Sequence, residues 1–165
     1  MFSIGDNVYY GAHGICEIED IQEQSFTGEK KQYYLLRSHN DSLKLYHPVE
    51  TEHSKLTPIL SKETAITLLE VFKQPAGKWH ERLTERQKGY QEALESADHV
   101  QIAKMVNTLM RKRLELEAID KKLHSQDIQV LTQVVPVFYE GLAMSLGLTA
   151  DQVSEQIKQT IKENK

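Results

Sequence analysis

Apolar residues follow two different periods along this chain. Up to about residue 60 they alternate with polar ones at short range. Val8–Tyr10 is a brief β-prone run closed by Gly11 and Gly14, and Ile15–Ile21 sets Cys16 and Ile18 against Glu17 and Glu19. Ser25–Lys30, with Gly28, reads as a hairpin loop, and Gln32–Arg37 supplies Tyr33, Tyr34, Leu35 and Leu36. After a turn at His39–Ser42, Leu43 and Leu45 alternate with Lys44 and Tyr46 until Pro48 ends the strand. Close turns without intervening helices imply an antiparallel sheet or barrel.

Beyond residue 60 the spacing becomes helical. Ser61 is a candidate N-cap for a helix carrying Ala65, Leu68, Leu69 and Phe72, and Pro75 and Gly77 break it. A second helix is expected from near Lys78, with Trp79, Leu83, Tyr90 and Leu94 on one face. Asp98 and Gln101 are spaced as a capping box for a long third helix with Ile102, Val106, Leu109 and Leu116. Ser125 is placed to cap a fourth, with Ile128, Leu131, Val135 and Leu142, in which Pro136 should introduce a kink. Gly147 is a helix stop, and Thr149 with Gln152 is a second capping box, opening a last helix to about Ile161. The pattern predicts an α+β protein, with a strand-rich unit over 1–60 and an all-helical unit over 61–165.

Composition narrows the class. Hydrophobic content of 39% and charged content of 27% are those of a globular protein. The apolar runs are too short to span a bilayer, no charged-then-apolar leader opens the chain, and the single Cys16 suits a reducing compartment. A cytoplasmic protein is expected. Residues 1–60 hold five Lys and Arg against nine Asp and Glu, a net of −4, whereas residues 61–165 hold fifteen of each. An autonomous DNA binder carries a basic excess, because phosphate neutralisation dominates its affinity. Any nucleic-acid contact here should be weak and need a partner to deliver it.

No catalytic constellation emerges, and no metal or cofactor site is expected. The seven histidines are scattered without the two-histidine helical spacing of a zinc hydrolase, and Cys16 has no thiolate companion. Cys16 and His13 lie in poor geometry for a nucleophile and base, so Cys16 reads as a small core residue. Gly5, Gly11 and Gly14 lie among strands with no phosphate-loop lysine behind them. Glu17 and Glu19 read as a solvated strand face. Two features remain. Trp79 is in register with Leu83 and Tyr90, as a core anchor would be. It also follows a helix breaker between Lys78 and Arg82, where an aromatic tip beside cations could wedge into or stack on bases. The basic run Arg111, Lys112 and Arg113, with Lys121 and Lys122, is balanced by Glu115, Glu117 and Asp120, and reads mostly as a solvated helix face.

The ordered residues resemble the CarD/CdnL family of bacterial transcription regulators. The likeness runs from Gly5-Asp6-Asn7-Val8-Tyr9-Tyr10 through Ala12-His13-Gly14, Ile18-Glu19, Gly28-Glu29, Gln32-Tyr33-Tyr34 and Pro48-Val49-Glu50. It resumes at Pro75, Trp79 and Arg82, then Ser96-Ala97-Asp98, Ile102-Ala103 and Val106. The resemblance implies a Tudor-like (SH3-like) antiparallel β-barrel over 1–60 that binds the RNA polymerase β subunit, as does the related module of transcription-repair coupling factors. It implies a helical domain that stabilises the promoter open complex without sequence readout, at the upstream edge of the bubble. The resemblance makes Trp79 the DNA wedge, and the cations expected to contact DNA with it are Lys78, Arg82, Arg86, Arg111 and Arg113. Gln24 and Tyr46 stand where the family often has arginines used on polymerase, with Arg37 and Lys44 as compensating cations. After Trp79, Glu81-Arg82 stands where two adjacent arginines are usual. The alternative is a protein–protein adaptor whose Tudor-like barrel has no DNA-related role.

Overall fold

The computed structural model describes residues 1–10, 13–39, 42–51, 56–96 and 98–165. Gly11, Ala12, the turn residues Asn40 and Asp41, residues 52–55 and Ala97 lie outside them. The chain forms two compact units, Met1–Ile59 and Leu60–Lys165.

The first unit is an antiparallel sheet of β1 (Asn7–Tyr10), β2 (Ile15–Gln24), β3 (Lys31–Ser38), β4 (Lys44–Pro48) and β5 (Leu56–Pro58), in the order β4-β3-β2-β1-β5. β4 and β5 are the edges, and the closed barrel expected from the sequence is not formed among the described residues. β5 carries no signal in the sequence: three residues with one buried apolar side chain and a terminal proline leave no alternation to read. Val8, Cys16, Ile18, Tyr34, Leu36 and Leu56 form the core on one face. A register shift between Ile18 and Asp20 lets Ile18 and then Ile21 face this core, three positions apart. Gly28, at φ 86° in the β2–β3 turn, takes a conformation that L side chains avoid.

The second unit contains α1 (Lys62–Val71), α2 (Leu83–Glu95), α3 (His99–Glu117), α4 (Ser125–Leu146) and α5 (Ala150–Glu163). Ala65 and Leu68 of α1, Phe72 at its C-cap, Val106 and Leu109 of α3, Leu142 of α4 and Val153, Ile157 and Ile161 of α5 build its core. Among the described residues, no single helix is long and apolar enough to cross a membrane. Three start signals differ from those expected. α2 begins at Leu83, not near Lys78, so Trp79 precedes the helix, and Leu94 is exposed rather than part of an apolar face. The Asp98 carboxylate accepts from the Val100 amide and makes no capping box with Gln101. His124, not Ser125, caps α4, its Nδ1 accepting from the Gln126 amide at 3.1 Å. Pro136 lies within α4 without ending it.

Candidate nucleic-acid and polymerase interfaces

The segment between α1 and α2 is shaped by α3. Pro75 removes one amide donor, and the Gly77 amide donates to Thr108 Oγ1 at 2.9 Å. Just before it, the last carbonyls of α1 would lack helical partners. Buried Asn107 supplies Nδ2 to the carbonyls of Val71 and Gln74 at 3.4 and 3.0 Å. Its Oδ1 accepts from Arg111 Nε at 3.0 Å, and Arg111 Nη2 donates to the Phe72 carbonyl at 2.7 Å. Asn107, Thr108 and Arg111 thus hold the loop that carries Trp79.

Beyond Trp79, one side chain does the equivalent task. Arg86 Nη1 donates to the carbonyls of His80 and Glu81, both at 3.0 Å. Arg86 Nε and Nη2 grip the two oxygens of Asp127 at 3.1 and 2.8 Å, and the Tyr90 hydroxyl donates to Asp127 Oδ1 at 2.7 Å. The Asp127 side chain is 0% exposed and that of Arg86 is 9% exposed. Hydrogen bonding to Asp127 raises the Arg86 pKa, and burial together with the Asp127 carboxylate holds the Tyr90 hydroxyl well above its ordinary range.

The Trp79 ring lies half-buried under these groups, with Arg86 4.6 Å and Lys112 Nζ 5.4 Å from its centroid. It is neither a core anchor nor a freely projecting ring. A shallow groove of about 230 Å³ opens beside it, between Lys78, Tyr90, Lys104 and Thr108. Lys78 and Arg82 are exposed and make no ion pair among the described residues, so both can approach phosphate.

The remaining sequence candidates divide. Arg86 and Arg111 direct Nε, Nη1 and Nη2 to acceptors within the protein, Arg111 Nη1 reaching the Asn164 carbonyl at 2.8 Å. Desolvation lowers the Arg111 pKa, as expected of an inward guanidinium. The geometry makes these two arginines supports of the Trp79 loop rather than free cations. Arg113 lies on the surface, paired with Glu117 at 3.1 Å. Nothing in the sequence marks out Asp127 or Asn107. A lone Asp in a helix's first turn looks like an ordinary dipole partner, and only the fold brings Arg86 to it.

In the sheet unit, the side chains named for polymerase share the face opposite the core. Lys44 pairs in register with Arg37, and Arg37 with Glu17, while Tyr46 lies across from Leu35. Arg37 reaches Glu17 and Glu19 at 3.2 Å each, and Lys44 reaches Glu19 at 3.6 Å. Glu17 and Glu19 are therefore ion-paired rather than simply solvated. Gln24 ends β2, its amide nitrogen donating to Gln22 Oε1 at 3.2 Å. Tyr46, 42% exposed, meets Phe26 edge-on at 5.1 Å, and Phe26, 59% exposed, meets Tyr33 at 5.0 Å. Phe26 sits in the turn where the sequence shows only a loop, so its place in a surface aromatic cluster was not foreseen. Cys16 lies fully buried on the opposite face. Among the described residues, no three His, Cys, Asp or Glu side chains converge as a metal site.

Comparison with known proteins accounts for nearly the whole chain. Residues 2–60 match the CarD-like/TRCF RID domain, and residues 67–158 match the CarD C-terminal domain. The chain belongs to the CarD family. CarD-family membership makes it a transcription factor whose N-terminal unit is of the type that interacts with RNA polymerase. It is 25% identical over 154 residues to a Bacillus subtilis (strain 168) protein named "Putative transcription factor YdeB", covering 93% of this chain and 97% of that one. Within the CarD frame, the sheet face with Phe26 and Tyr46 falls in the RID match, and the Trp79 loop with its supports falls in the C-terminal match.

Proposed function

We propose that this protein binds the β subunit of RNA polymerase through its sheet unit and stabilises the promoter open complex through Trp79. The observation that carries the reading is the Trp79 loop itself. A half-exposed indole is held on a tethered backbone, flanked by exposed Lys78 and Arg82, which make no ion pair among the described residues. A planar ring suits insertion at an unstacked base step, and the two cations suit the flanking phosphates. Such a contact reads no sequence, because every base step offers a π-face and every phosphate the same charge. The polymerase contact is assigned to the outer sheet face around Gln24, Arg37, Lys44 and Tyr46, to which Phe26 adds exposed apolar surface.

The test is Trp79→Ala, assayed with polymerase on a promoter template. The variant should fold and bind polymerase as the wild type does, while the open-complex lifetime falls by about tenfold, the scale of one lost stacking contact. An unchanged lifetime with polymerase binding intact would leave the chain an adaptor without a DNA role.

A further inference from the structure

Helix α2 buries none of its residues fully, so apolar packing alone does not attach it firmly. Its polar attachment is a Gln87–Gln126 contact and two donors that converge on one carboxylate. Arg86 and Tyr90, one helical turn apart, both donate to Asp127 on α4. A buried ion pair is a poor way to gain stability, since apolar residues of similar volume often do as well or better. Its geometric yield is larger. The same guanidinium that Asp127 orients also ties down the His80 and Glu81 carbonyls and lies 4.6 Å from the centre of the Trp79 ring.

We propose that Asp127 is a positioning residue for Trp79. Acting through Arg86, it fixes the backbone immediately after the indole and the cation over its ring. Trp79 then meets its target already ordered, and ordering cost is removed from the binding step. This inference rests on the reading of Trp79 as the DNA-contacting group, but its first readout does not. Trp79 is the chain's single tryptophan, so intrinsic fluorescence reports this ring alone.

The experiment compares Asp127→Asn, Arg86→Lys and Tyr90→Phe in the full chain. Asp127→Asn removes the charge that holds the guanidinium fork. Arg86→Lys keeps a cation but cannot bridge the carboxylate and both carbonyls at once, and it decides the matter even if Asp127→Asn does not fold. Tyr90→Phe is the graded comparison, because it removes one donor to Asp127 while leaving the Arg86–Asp127 pair in place.

Arg86→Lys and folded Asp127→Asn should raise acrylamide quenching of Trp79 by about twofold and shorten the open-complex lifetime by about fivefold, the weight of one partly desolvated cation–π contact. Tyr90→Phe should change both in the same direction but by less. In a Trp79→Ala background, Arg86→Lys should shorten the lifetime no further, since it acts only through the ring. A lowered melting temperature with quenching and lifetime unchanged would reduce the pair to a structural role and overturn the proposal. So would an equal loss of lifetime in the Trp79→Ala background. If Trp79→Ala itself leaves the lifetime unchanged, the DNA reading fails, and the quenching comparison still decides whether Asp127 positions the ring.

Discussion

His99 opens α3 half-buried beside the Asp98 cap, and burial lowers its pKa, partly opposed by the Asp98 charge. Desolvation therefore favours the neutral imidazole in the folded chain. As pH falls below the unfolded value near 6.5, the unfolded chain takes up the proton first and stability declines. The loss continues down to the lowered folded pKa and then levels off. Urea titrations from neutral to mildly acidic pH should show this decline in the wild type and a flatter one in His99→Gln; equal slopes would exclude His99 as the cause. Sequence told less at this scale than at any other. Trp79 stands out in the sequence because it is unique and sits between cations. Asp127, Asn107 and Phe26 do not, since each has a commonplace local setting and acquires its partners only through contacts distant in sequence.

At the scale of elements, local chemistry was legible where the chain satisfies its own backbone. Gly147 takes the left-handed conformation at φ 68°, and the Leu148 amide returns to the Ala143 carbonyl at 2.9 Å. Thr149 and Gln152 then close their capping box, with the axes of α4 and α5 bent by 102°. Thr149→Ala should cost about 1 kcal/mol, read as a lower urea midpoint with unchanged slope. A change within error would show that packing alone fixes this corner. Where another element supplies the partner, periodicity misled. Residues 78–82 fit a helical face, yet Thr108 and Arg86 claim the backbone groups around them, and α2 starts only at Leu83. Open and closed sheets share the same strand alternation, so barrel closure could not be read from the pattern.

Across the molecule, charge decides what the protein can do unaided. Residues 1–60 carry a net −4 and residues 61–165 carry none. Each of the four described Lys and Arg residues of the sheet unit, Lys30, Lys31, Arg37 and Lys44, already faces a carboxylate. The chain alone should bind duplex DNA more weakly than about 10⁻⁴ M at physiological salt, the weak end of non-specific binding. Fluorescence anisotropy with a labelled duplex checks this, and micromolar affinity without polymerase would refute the charge argument. A contact too weak alone becomes effective once polymerase raises its local concentration. The change of apolar period near residue 60 made the α+β character readable in advance, because it reflects which elements can bury their own faces.

The open sheet has a further consequence. An unclosed edge is a template on which identical chains can stack, and among the described residues β4 and β5 are the two edge strands. Each ends on a proline, Pro48 and Pro58, and β5 is only three residues long. Proline offers no amide to an incoming strand, and so short a run gives a fibril nothing to propagate along. The module stays open at its rim while discouraging self-templated aggregation.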